Sequence, residues 1–102
     1  MFQDSELQLT KLGDFLRLAR TRRAWRQEDV AQRLKVSVDT IKRVEKGSKG
    51  VSIGIILDLL SLYQCLEAFS DVVNPYKDEV GISMETERSP KRISGNRYDR
   101  DF

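Results

Sequence analysis

The sequence predicts an all-α protein, with five helices over residues 11–73 and an irregular tail over residues 74–102. Three observations carry that reading. From Leu12 onward apolar residues recur at i, i+3, i+4 and i+7, the spacing of one helix face. Residues that start and stop helices stand where the pattern needs them, at Ser37, Gly47 and Ser52. At Asn74-Pro75 the character changes: helix continuation is disfavoured, apolar residues become sparse, and six basic residues face six acidic ones.

Residues 1–10 read as a polar N-terminal extension, for which fraying is the default. Leu7 and Leu9 are available to pack on the domain, and Phe2 to seal a dimer seam. The first helix is expected over about residues 11–24, with Leu12, Phe15, Leu16 and Ala19 as its apolar stripe and most of its arginines off it. Trp25 follows as a plug between the first two helices. Residues 26–47 read as two short helices around a tight break at Lys35-Val36. Val30, Ala31 and Leu34 line the inner face of the first, and Ile41 and Val44 that of the second. Ser37 caps the second helix, and Gly47 stops it by taking the left-handed conformation without a Cβ penalty.

Lys46-Gly47-Ser48-Lys49-Gly50 is a basic loop in which glycine lets backbone approach a phosphate. Ser52 caps a fourth helix reaching about Tyr63, and a short fifth helix spans about residues 65–73. The fourth is crowded with Ile53, Ile55, Ile56, Leu57, Leu59, Leu60 and Leu62, more than one face needs. Either it is buried on most sides or it carries a core face and a dimer face; the second is preferred. In the tail, residues 81–85 suit a short strand, alone or added to a partner, and Arg88, Lys91, Arg92 and Arg97 form a loose basic cluster.

Charge is distributed unevenly. The net charge is only +2, yet between Lys11 and Gly50 twelve Lys and Arg face five Asp and Glu, the footprint of a polyanion-binding surface. Histidine is absent, which removes the commonest general base and zinc ligand. The single cysteine, Cys65, permits neither an intrachain disulfide nor a CxxC site. No catalytic constellation can be assembled, so the chain is read as a non-enzyme with no cofactor and no metal. No apolar run suits a membrane span and the N-terminus is no secretory signal, so a cytoplasmic location is expected.

The stretch from Gln27 through Val30-Ala31, Leu34, Val36-Ser37 and Thr40-Ile41 to Glu45-x-Gly47 resembles the helix-turn-helix of the Cro/repressor (xenobiotic-response-element) family, and with it a lambda-repressor-like domain. Lys35 departs from the pattern, which usually has Gly in the turn. The resemblance implies that Gln27 binds a phosphate and steadies the recognition helix, and that Glu45 is held by an arginine, for which Arg20 is the candidate. Leu12-Gly13-x-Phe15-Leu16-Arg17-x-Ala19-Arg20 and Gly50-Val51-Ser52-Ile53-Gly54 look like a narrower branch that includes HipB-type antitoxins. These repress their own operons as dimers and hold HipA-like kinase toxins.

The expected function is therefore a dimeric, sequence-specific regulator of double-stranded DNA, probing a palindromic operator and acting as a repressor. Val38, Asp39, Thr40 and Arg43 would face bases, and Arg26, Gln27, Lys42, Lys46 and Lys49 phosphates. Ile55, Leu59, Leu62, Leu66 and Phe69 would form the dimer interface. The alternative is a protein-interaction module that binds a toxin or other partner, with DNA binding weak or lost.

Overall fold

The computed structural model describes residues 3–88, and every regular element among them is helical. Helix α1 spans Gln3–Arg22, α2 Gln27–Leu34, α3 Val38–Glu45 and α4 Ile53–Leu62. Two 3₁₀ segments, Leu66–Asp71 and Pro75–Lys77, precede α5, Glu79–Arg88. The described residues divide into two units that part after Leu66. Among them, no helix is long and apolar enough to cross a membrane.

In the first unit most of the expected inner faces are buried, with Leu12 and Leu34 only half-buried. Leu16 and Ala19 of α1, Val30 and Ala31 of α2, Ile41 and Val44 of α3, and Leu59 and Leu60 of α4 make the core with Tyr63. Phe15, expected on the α1 stripe, is instead 41% exposed. It lies about 100° round the helix from Leu16, at the edge of the buried arc. The caps form as expected: Ser37 Oγ accepts from Thr40 N at 3.1 Å, and Ser52 Oγ from Gly54 N at 3.0 Å.

Helices α1 to α4 all stop in the same way. Ala24, Lys35, Gly47 and Gln64 each take positive φ, and the next residue's N–H reaches back to a carbonyl five positions earlier. These are Trp25 to Arg20, Val36 to Ala31, Ser48 to Arg43 and Cys65 to Leu60. This is the Schellman turn, which satisfies the last free carbonyls of a helix. Glycine supplies only one of the four. Lys35, at φ 59° and ψ 43°, carries the non-glycine cost that its sequence implies.

Helix α1 meets α3 backbone on backbone. A Cβ on Gly13 would fall 2.7 Å from the Glu45 carbonyl oxygen and 2.8 Å from that of Val44. One on Gly47 would fall 2.9 Å from the Leu9 carbonyl oxygen and from Thr10 Cα. The two glycines thus seat α3 along α1, and the Gly47 contact lies in the part of α1 that was expected to fray. That expectation is corrected: the helix begins at Gln3 rather than near residue 11.

Beyond α4 the expectations also shift. The stretch 65–73 forms no α-helix but a 3₁₀ segment with no buried residue, after the left-handed Gln64 turn has ended α4. Residues 81–85 are helical, not a strand, since Asp78 opens α5 by accepting the Gly81 N–H on its carboxylate at 3.0 Å. Of the loose basic cluster only Arg88 is described; Lys91, Arg92 and Arg97 lie outside the described residues, as does Phe2.

Candidate nucleic-acid interface

Helix α3 has two unlike sides. Ile41, Val44 and Glu45 are buried, whereas Asp39, Lys42, Arg43 and Lys46 are exposed and Val38 and Thr40 half-buried. Eight residues at 3.6 per turn leave one stripe facing in and a wide arc facing out. The outer arc therefore carries the basic residues by geometric necessity once Ile41 and Val44 are inside.

A three-helix polar network fixes the pitch of α3. Arg20 of α1 grips Glu45 with two bonds, Nε to Oε2 at 2.7 Å and Nη2 to Oε1 at 3.0 Å. Its remaining Nη1 donates to the Trp25 carbonyl at 2.9 Å. Gln27, at the start of α2, donates Nε2 to Glu45 Oε1 at 3.0 Å. The parallel, bidentate arrangement is the strong form of an arginine–carboxylate pair. The bond to Glu45 raises the Arg20 pKa against the opposing effect of burial. The Arg20 partnership that the family resemblance implied is thus present in the structure.

Beside this network lies a hollow of about 470 Å³ lined by Arg17, Gln27, Lys42, Glu45 and Lys46. Glu45 is already neutralised by Arg20, so the three outer cations leave the hollow positive, the condition for holding a phosphate oxygen. An amide carries two N–H donors. Gln27 spends one on Glu45, and the second remains for an anion.

The other expected contacts are placed as follows. Arg43 lies over the loop, where a Cβ on Gly50 would come 2.9 Å from its Nη2. Lys49 is exposed on the same loop. The Thr40 hydroxyl lies 2.9 Å from Ser37 Oγ and so is shared with the helix cap. Arg26 is highly exposed, with its side chain along Asp29 at 3.4 Å and its backbone N–H held by that carboxylate at 2.8 Å. The Arg26 N–H is the chief cause holding the Asp29 carboxyl below its ordinary pKa.

Arg17 was not singled out in sequence. The signal was there: Gly13, Arg17 and Arg20 stand at i, i+4 and i+7, so the residue between the close-approach glycine and the buried arginine must border α3. The expected dimer set is revised at one position. Leu59 is only 1% exposed and belongs to the core, so it has no surface to offer another copy. Ile55, Leu62 and Phe69 are half-buried, and Leu66 is exposed.

At the far end of α1, Arg23 donates to the Ala19 and Tyr63 carbonyls at 2.8 and 2.7 Å and lies 5.2 Å from the Tyr63 ring centroid. It thus ties α1 to the carbonyl end of α4, where a cation is favoured. Trp25 is not simply a plug between α1 and α2. Its ring contacts Tyr63 at the end of α4, at 6.1 Å, and lies 4.2 Å under the Arg33 guanidinium of α2.

Two short helices crossing at a tight turn, with a basic outer arc on the second, make up the geometry of a DNA-reading unit. Comparison with known proteins agrees. No curated protein and no solved structure matches the chain. A family model described as a helix-turn-helix domain matches residues 11–68, more than half of the sequence, from within α1 through α4. The chain therefore belongs to the helix-turn-helix domain family.

Proposed function

We propose that this protein is a sequence-specific DNA-binding regulator of the Cro/repressor type, two copies of which read the halves of a palindromic operator in the cytoplasm. The observation that carries the reading is the division of α3: its inner side is locked by Ile41, Val44 and the Arg20–Glu45–Gln27 network, and its outer side is left basic. In the major groove Val38 meets a thymine methyl, Asp39 accepts from a cytosine amine, and Thr40 and Arg43 reach neighbouring base edges. Lys42, Lys46 and Gln27, together with Arg17, close on one phosphate, while Arg26 and Lys49 hold flanking ones. Binding of this kind blocks access to a promoter, which makes repression the expected outcome.

The test is a fluorescence-anisotropy titration against operator DNA selected from a random pool, repeated at several salt concentrations. Arg43→Ala is expected to cost about 1–3 kcal/mol and to relax sequence preference at one position. Lys46→Ala is expected to weaken all sequences alike and to reduce the salt slope by about one. Unchanged affinity and slope in both variants would remove α3 from the interface.

A second reading, as a protein-binding antitoxin that also represses its own operon, draws on the region after Leu66. There Val72, Val73, Tyr76, Val80 and Met84 are each more than half exposed, which is unusual for so short a segment. A HipA-like kinase is the partner that the narrower resemblance suggests. Co-purification with the product of the neighbouring gene, lost on truncation at Asn74, is the expected result.

A further inference from the structure

Helix α1 is longer than the domain needs. The family match begins at residue 11, whereas α1 begins at Gln3. Its outward side repeats every three and four residues: Asp4, Leu7, Lys11, Asp14, Leu18 and Thr21. This is the spacing of a helix–helix seam, and all six are exposed. Leu7 is 52% exposed and Leu18 46%. The seam lies about 180° round the helix from Leu16, so its occupation leaves the seat of α3 untouched.

We propose that this face is a self-association surface on which a second copy of the chain lies antiparallel, α1 against α1. Charge sets both occupant and direction. With the two-fold axis between the levels of Leu12 and Gly13, Leu7 meets Leu18 of the second copy, and Lys11 meets Asp14 of the second copy. Symmetry repeats both contacts, as an isologous interface requires. A parallel arrangement sets Lys11 on Lys11 and Asp14 on Asp14, which repel. Neither residue has an ion-pair partner of its own among the described residues. A hollow of about 320 Å³ lined by Asp14, Arg17, Leu18 and Thr21 lies on this side of α1 and receives the incoming leucine.

The surface supplies the interface for the two-copy reading above, in place of the Ile55, Leu62, Leu66 and Phe69 set expected from the sequence, and its test is run without DNA so that the two fail separately. Sedimentation equilibrium of the full chain is expected to show a dimer. Lys11→Glu places only acids at the centre of the seam and weakens association on the order of tenfold or more; Leu18→Glu does the same by burying a charge. Lys11→Glu combined with Asp14→Lys reverses every pair and restores the dimer, a recovery that loss of folding does not produce. A monomeric wild type, variants that all dimerise equally, or a double variant that stays monomeric would each overturn the proposal.

Discussion

Two arginine–carboxylate pairs lie within a few residues of each other around the start of α2, and they do different work. Arg20–Glu45 is enclosed, with side chains 10% and 5% exposed, and its two bonds span α1 and α3. Arg26–Asp29 is open, at 74% and 35%, and spans less than one turn of α2. The first pair is largely shielded from water, so protein groups must stand in for hydration; the third arginine nitrogen and Glu45 Oε1 are accordingly drawn into the network with Trp25 and Gln27. In the second, the short bond is not between the charges but from the Arg26 backbone N–H to Asp29. The same two functional groups thus act as a three-helix clamp in one place and as a helix cap in the other.

Breaking the clamp should have the largest effect. Glu45→Ala leaves a buried guanidinium unpaired and is expected to cost about 3–5 kcal/mol, read as a fall in the urea midpoint. A loss below about 1 kcal/mol would mean that α3 is held by apolar packing alone.

A third polar group sharpens the contrast because it is buried with no partner at all. Among the described residues the Tyr63 hydroxyl accepts and donates nothing, and burial pushes its pKa up to about 12. The folded chain therefore holds this proton more tightly than the unfolded chain, whose phenol titrates near pH 10. The resulting stability is whole below about pH 10 and is lost as pH rises through about 12. Tyr63→Phe is expected to gain up to about 1 kcal/mol at neutral pH, since an unsatisfied group is removed. It should also flatten the alkaline limb of the stability profile. The smallest effect belongs to the open pair: Arg26→Ala should leave the midpoint unchanged, whereas Asp29→Ala should lower it, because the cap needs only the backbone of residue 26. The Asp29 contribution is present above about pH 4 and disappears as pH falls further, the sign for a depressed carboxylate.

The part of the fold legible in the sequence is the part with strong periodicity. Val30, Ala31, Ile41 and Val44 occupy the core that their spacing implied, and Glu45 found Arg20. The first turns of α1 were hidden because Asp4, Ser5, Glu6 and Gln8 offer no apolar stripe, and the close approach of Leu9 and Thr10 to Gly47 is backbone contact that no pattern of side chains encodes. Leu59 was misplaced because α4 is apolar on nearly every side, and periodicity cannot say which side faces in. The start of α5 is not legible because Gly81 weakens any helical pattern there, while the carboxylate of Asp78 caps the helix. The ends of α1 and α4, by contrast, fall within a residue or two of where the sequence put them, although no glycine marks the turns at Ala24 and Gln64. Arg17 reads in the sequence as one of several arginines off the apolar stripe, although its place between Gly13 and Arg20 fixes it beside Lys42 and Lys46.

The glycine contacts at Gly13 and Gly47 have a mechanical corollary. Where peptide groups touch directly, no side chain is available to flex, so the reading helix cannot rock on its support. Under the two-copy proposal, a signal that releases the chain from DNA is therefore expected to act by parting the copies or altering their separation, so that one copy of α3 misses its groove while the other still fits.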